Sequence, residues 1–440
     1  MELRKILDDL AASEAYALLE PRWQESVASF AELPILSDND LLRDTCKFCS
    51  LDQDTTDHAL EFSHVIQRTP GMTLLFWHCH RLIYIAKDYP QRHFIHWPLF
   101  ASLGKDAGLF YLLLALSIVP KIRLLHQGRG IPEEISRASL YDVAINVTRY
   151  GRLYDGLTGI LPRGLHWFRR HSGGGLLRIG RLEYVVTPFQ GTVTMFRHKN
   201  SGAALALFKD GIVFQADGLR PVTPLPAVDV PTGGFVSRYA ETDDRITGNP
   251  ALPVGVVLPE PLTLVKSAWE KMLSPGSAVL EMHIPEGGGM GLDMCFDSMR
   301  RAIDFYRRHF ADQPFNSIAM QSWILDSDWE RIYRPGANFV QLQREVYLYP
   351  MPGDGKVLYF IFDRDDVDLK TAPRDTSLRR AVLDHLDKGG VLRNGGMIFL
   401  VDDIERLGTQ HYRKGPLFRA LRAQDHPALA EYDVVGNSAR

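Results

Sequence analysis

Only 4 cysteines occur in 440 residues. That is too few for a disulfide framework in a chain of this length, so a packed core rather than covalent staples has to hold the fold. A dominant charge is missing as well. Lys and Arg number 50 against 53 Asp and Glu, a formal net charge of -3, which offers no basic field to nucleic acid. The longest apolar run, Gly108 to Val119, stops short of the roughly 20 residues a membrane-spanning helix needs, and it reads as a buried helix. No basic stretch followed by an apolar one opens the sequence, which points to the cytoplasm. What the chain does have is a 45% hydrophobic share, ordinary for a soluble enzyme of two or three domains.

Residues 1–150 read as a helical domain. Ile6, Leu7, Leu10, Ala11, Tyr16, Leu18 and Leu19 recur at a helical period, and Pro21, Pro34, Pro70, Pro90, Pro98 and Pro120 divide the remainder of the domain into short segments. Cys46 and Cys49, with His78 and His80 much later and His58 and His64 between, invite a zinc reading. Cys46 and Cys49 have the spacing of a zinc pair, but the second pair does not: it stands as Cys-x-x-Cys or His-x(3-5)-His in such sites, and on one helix His78 and His80 point apart. Buried cysteines and interhelical histidines are expected instead, with no metal. A zinc-dependent hydrolase would need metal bound in stoichiometric amount.

From Gly151 the texture turns to glycine-rich turns and short strands, and residues 151–440 read as a second domain. Leu165–Arg170 and Leu176–Val186 are expected as neighbouring strands, Thr192–Arg197 and Ala203–Phe208 as a hairpin closed by Lys199-Asn200-Ser201-Gly202. A helix is expected near Leu262 to Leu273, a strand at Lys356–Asp363, a helix at Thr376–Leu386, and a late, edge strand at Gly395–Val401.

The informative stretch runs from Ser277 to Tyr349. Its order is expected to be β-α-β-α-β: a strand at Ala278–Ile284, a helix over Asp293–Phe310, a strand at Asn316–Ile324, a short helix from Asp326 or Ser327 to Pro335-Gly336, and a strand from Asn338 to Tyr349. Glu281 and His283 stand two apart in the first strand, so both side chains leave one face at the end where the glycine-rich turn Pro285–Gly291 begins. Ligands in open α/β sheets collect where strand ends meet helix starts.

The residues Leu280-Glu281-Met282-His283-Ile284-Pro285, Asp297-Ser298-Met299-Arg300-Arg301-Ala302, Gln321-Ser322-Trp323-Ile324-Leu325-Asp326 and Asn338-Phe339 resemble the GNAT-like half of bacterial two-part acyltransferase proteins. Arg178-Ile179-Gly180-Arg181-Leu182-Glu183-Tyr184 is similar to a strand of the same family. The resemblance spans about 139–351. It implies an α/β fold in which a helical N-acyltransferase N-terminal domain precedes a GNAT-like mixed sheet, with an acyl donor held between two splayed parallel strands, those of His283 and Ser322.

Transfer from a thioester needs an acceptor amine or hydroxyl relieved of its proton and a thiolate that is reprotonated. His283 is the candidate base with Glu281 orienting it, Ser322 a candidate for bonding the acceptor or the thioester oxygen, and Tyr333 resembles the tyrosine that protonates the thiolate in many GNAT enzymes. Ile284, Gly287, Gly288, Gly289, Gly291 and Ser298, with Arg178 of the basic stretch, are the candidate donor-binding residues. One departure stands out. The family's phosphate loop carries a cation, whereas Glu286-Gly287-Gly288-Gly289-Met290-Gly291 carries an acid that would repel phosphate. Either acyl-CoA is bound differently, or the donor is an acyl carrier protein bearing a phosphopantetheine arm, docked by Arg169–Arg181 or by the arginines of the 293–310 helix. The acceptor is open between small molecule and modified peptide. A catalytically inactive scaffold is the alternative, and a slot plugged by side chains would mark it.

Overall fold

The structure, a computed structural model, describes residues 2–364 and 366–422. The chain divides into two compact units: Met1–Val185 with Ile284–Gly288 and Arg308–Phe310, and Val186–His283 with Gly289–Arg307 and Ala311–Arg440.

The first unit is helical, as its sequence period predicts. Helices α1 (Asn39–Phe48) and α2 (Gln53–Arg68) start at aspartates whose carboxylates accept the free backbone N–H groups of the first turn: Asp38 takes Leu41 N at 2.9 Å and Asp52 takes Thr55 N at 2.8 Å. Helix α3 is Met72–Tyr84 and α4 is Ala107–Leu116. All ten residues of α4 are buried, so this apolar run is the centre of the unit rather than one face of it. The longer helical run Ala101–Gly128 has the length and hydropathy of a membrane span, and 67% of its most apolar window lies buried inside the fold. Helices α5 (Asp142–Leu153) and α6 (Leu165–His171) precede a hairpin of β1 (Leu177–Ile179) and β2 (Leu182–Pro188), in which Arg178 stands opposite Glu183.

The strand expected at Leu165–Arg170 is instead α6. Leu165, Phe168 and His171, three apart, are buried together, a helical spacing that its Trp and Phe mask. Arg169, expected in the basic stretch that would dock a carrier protein, donates to the carbonyls of Tyr89, Ala86 and Lys87 at 2.7, 3.0 and 2.6 Å.

In the second unit β3 (Val193–His198) and β4 (Ala204–Phe208) form the expected hairpin, Gly202 supplying the left-handed residue. The expected helix near Leu262 is two strands, Leu262–Val265 and β5 (Trp269–Leu273), the latter paired with β3. Then come β6 (Ala278–His283), α7 (Leu292–His309), β7 (Ser317–Ser322), α8 (Asn338–Glu345), β8 (Tyr347–Pro350), α9 (Val357–Phe362), α10 (Ser377–Asp387) and β9 (Gly395–Leu400). Helix α7 buries Cys295, Met299, Ala302, Ile303 and Tyr306, an i, i+4, i+7 stripe.

The strands lie in the order β6, β7, β9, β8, with β6 and β7 parallel and the other pairs antiparallel, a mixed sheet. Three expectations change here. The Asn338–Tyr349 strand is mostly helix, with only Tyr347–Pro350 extended. Lys356–Asp363 is helical, its apolar residues packing into a cluster around Trp329 and Val340 rather than joining the sheet. Strand β9 is interior, inserted between β7 and β8, where its six residues are all buried.

Candidate active site

The parallel strands β6 and β7 are paired at only two positions, Leu280 opposite Ile318 and Glu281 opposite Ala319. Beyond these, β7 continues against β9 alone, with Met320, Gln321 and Ser322 opposite Met397, Gly396 and Gly395. The strands part after Glu281, and His283 ends β6 on the open side.

Why β7 follows β9 is legible in two glycines. A Cβ at Gly395 would lie 1.9 Å from the carbonyl oxygen of Leu325, and one at Gly396 2.0 Å from the ring of Tyr349. Both contacts require glycine, so β9 packs flat against β7 and lets the Tyr349 ring cross it.

Register fixes which side chains share the face. Glu281 pairs with Ala319, so Glu281, His283 and Gln321 point one way and Ser322 the other. His283 Nε2 lies 3.5 Å from Glu281 Oε1, with the two side chains 18% and 28% exposed. Thr187 Oγ1 donates to the other oxygen of Glu281 at 3.2 Å. Gln321 Nε2 donates to Tyr349 Oη at 3.4 Å. Burial pushes the Tyr349 phenol well up, the Gln321 bond offsets part of this, and the charge of Glu281 adds to it.

The structure brings Glu281 and His283 together and sets Ser322 apart. Ser322 Oγ accepts from Ile324 N at 3.4 Å and caps the short turn Trp323–Leu325. Gln321, Thr187 and Tyr349 escape the sequence reading. Gln321 is the immediate neighbour of the chosen Ser322, and only the register decides between them. Tyr333 is in another cluster: its hydroxyl shares a 2.7 Å bond with Ser377 and its ring stacks on Phe339 at 5.4 Å. Ser298 is on the buried stripe of α7. Gly291 stands just before that helix, its carbonyl accepting Cys295 N at 3.0 Å, and Gly289 has open space where a side chain would go.

Within the first unit, Ile284 leads into a turn whose Gly287 and Gly288 are left-handed, at φ 85° and 70°. The cations absent from the turn's own sequence come from other elements. Arg152 of α5 pairs with Glu286 at 2.5 Å, and Arg181, between β1 and β2, donates to Pro285 O at 3.0 Å and Gly288 O at 3.4 Å. Arg178 is half-buried in β1, its backbone N–H donating to Ser139 Oγ at 2.9 Å.

The same unit holds a sealed polar cluster. His171 Nε2 lies 3.0 Å from Asp142 Oδ2, which also accepts Trp167 Nε1, and the Glu183 carboxyl is fully buried beside Asp142. The histidines of α3 have separate partners: His78 bonds Ser26 Oγ and Leu19 O, His80 bonds Ser117 Oγ, and burial pushes both down to about 4. Cys46 and Cys49 are buried thiols.

Residues 176–399 match the family of GNAT-like C-terminal domains and residues 40–174 the N-acyltransferase N-terminal domain. No curated protein sequence matches. Among solved structures, an acyltransferase in complex with decanoyl-CoA superimposes with a TM-score of 0.57 at 19% identity, over 91% of this chain and 99% of that one. An acyltransferase in complex with decanoyl-CoA and teicoplanin gives 0.55 at 20% over 82% and 87%, and an acyltransferase mutant in complex with octanoyl-CoA gives 0.54 at 19% over 81% and 87%. The likeness is one of fold. The two matched domains, in this order along one polypeptide, make the chain a member of the GNAT-like C-terminal domain family behind an N-acyltransferase N-terminal domain, and an acyltransferase.

Proposed function

We propose that the chain transfers an acyl group of medium length from acyl-CoA to an amine or hydroxyl of a modified peptide, by direct attack on the thioester. The observation that carries this is the parting of β6 from β7 after two paired residues, with Glu281 and His283 on the face at the opening. A slot of that kind can hold an extended pantetheine arm through backbone hydrogen bonds. Attack by the acceptor forms the new C–N or C–O bond. His283 takes the proton, steadied by Glu281, and the C–S bond then breaks. Tyr333 is engaged by Ser377, so we assign return of that proton to the thiolate to His283 itself. Gln321 and Tyr349 line the same face and are placed to orient the acceptor.

Donor choice follows from charge. Arg152 neutralises Glu286, and Arg181 stands on the same turn, so the objection that an acidic turn repels phosphate loses its force. The neighbours in complex with decanoyl-CoA and teicoplanin supply the acyl length and acceptor class for the reading. Mass spectrometry of the protein mixed with teicoplanin and, separately, decanoyl-CoA, acetyl-CoA and a decanoylated carrier protein tests it. Acylated glycopeptide and free CoA are expected with decanoyl-CoA. Turnover with the carrier protein alone would overturn the donor, and free thiol without acylated product would overturn the acceptor.

A further inference from the structure

We propose that Arg220 is an anion receptor of the second unit and that its ligand is a carboxylate carried by the acceptor; the link to the acceptor rests on the transfer face described above. Arg220 is only 7% exposed, yet among the described residues its guanidinium makes no hydrogen bond and no ion pair. Its Nε is sealed from solvent without a partner, and its one contact of electrostatic character is the ring of Phe214, 5.8 Å away. A buried cation left this way costs stability unless something arrives to pair with it.

The acids around Arg393, which holds the backbone of Arg220, are already taken. Arg393 donates through Nε to the carbonyl oxygen of Arg220 at 2.7 Å, pairs through Nη1 with Asp328 Oδ2 at 3.0 Å, and gives its backbone N–H to Asp326 Oδ2 at 2.9 Å. Arg331 holds the other oxygen of Asp328. Asp326 and Asp328 are therefore engaged by Arg393 and Arg331, and among the described residues no carboxylate bonds the Arg220 guanidinium.

Its place fits an acceptor. Phe214 packs edge-on against Phe208 at 4.8 Å, and Phe208 packs against Tyr349 at 6.5 Å, the phenol that Gln321 bonds on the Glu281 face. One aromatic layer thus joins the cation to the transfer face. A flat guanidinium matches a carboxylate by two parallel N–H···O bonds.

The first test needs no turnover. The whole chain and its Arg220→Met variant are melted in sodium acetate, sodium phosphate and sodium chloride at equal ionic strength. Acetate is expected to raise Tm of the unaltered chain by several degrees over chloride and to do nothing for the variant, which in chloride melts no lower than its parent. Acetate acting on both alike or on neither overturns the site, as does a variant that melts several degrees lower in chloride, the mark of a structural arginine. Protection by phosphate without acetate overturns the carboxylate assignment. In the second test, with decanoyl-CoA, Arg220→Met is expected to raise KM for teicoplanin about tenfold or more and to leave KM for its methyl ester unchanged. An equal rise for acid and ester overturns the link to the acceptor. Because the melting test reads binding alone, it can succeed where the transfer reading fails.

Discussion

His171 sits 3.0 Å from Asp142 in the first unit, and His283 sits 3.5 Å from Glu281 in the second. Each pairs an imidazole with a carboxylate, and the surroundings differ. His171 and Asp142 are 0% and 6% exposed, and Asp142 is also tied to Trp167, with Glu183 buried alongside. His283 and Glu281 are 18% and 28% exposed at the point where two strands cease to pair. A histidine beside a carboxylate is therefore no sign of chemistry in itself. The sealed pair has no route for a substrate, and its worth is in satisfying buried donors; the open one borders a gap in a sheet.

The contrast can be broken most directly at the open pair. His283→Ala is expected to slow acyl transfer by about a hundredfold to ten-thousandfold, read as CoA release, with Tm nearly unchanged. Full retained activity would make His283 as structural as His171. At the sealed pair the expectation reverses. Asp142→Ala should cost about 1–3 kcal/mol for each of the two donors left without an acceptor, those of Trp167 and His171, measured by urea unfolding. An unchanged midpoint would show that solvent reaches the cluster.

A subtler effect sharpens the same comparison through pH. Burial first, and then the charge of Asp142, push the Glu183 carboxyl far above its ordinary value near 4.5. Unfolded Glu183 gives up its proton as pH rises past that value and folded Glu183 does not, so the stability it contributes is full in acid and declines as pH rises. Glu183→Gln should flatten the fall in unfolding free energy between about pH 5 and 8 by about 1 kcal/mol or more. A slope that survives the substitution would assign the linkage to another group.

Much of this is legible without coordinates. Glu281 and His283 share a face because strand side chains alternate, and that holds whatever the sheet does. Helix α7 announces itself through a long amphipathic period, and Lys199–Gly202 through its turn residues. Elsewhere the local signal is ambiguous. Val357–Phe362 is rich in apolar and aromatic residues that favour strands, but it folds as a helix because its partners are the helices around Trp329 and Val340. Phe339 to Tyr349 mixes apolar residues at both periods, and the helix–strand break after Glu345 is set by β8 pairing with β9. The choice between Ser322 and Gln321 turns on a register between β6 and β7 that neither strand encodes alone. The cations for the glycine turn are Arg152 and Arg181, each more than a hundred residues upstream of their partners in it, beyond the reach of any local motif.

Gly395 and Gly396 set a boundary on how such an enzyme can be diversified. Their backbone pairs with β7 on the side away from β6 and so braces one edge of the slot, and any side chain there would collide with Leu325 or Tyr349. Substrate range has to be rewritten at the slot itself, at residues such as Thr187 and Gln321 whose side chains already reach the face, while the brace behind β7 is inherited as found.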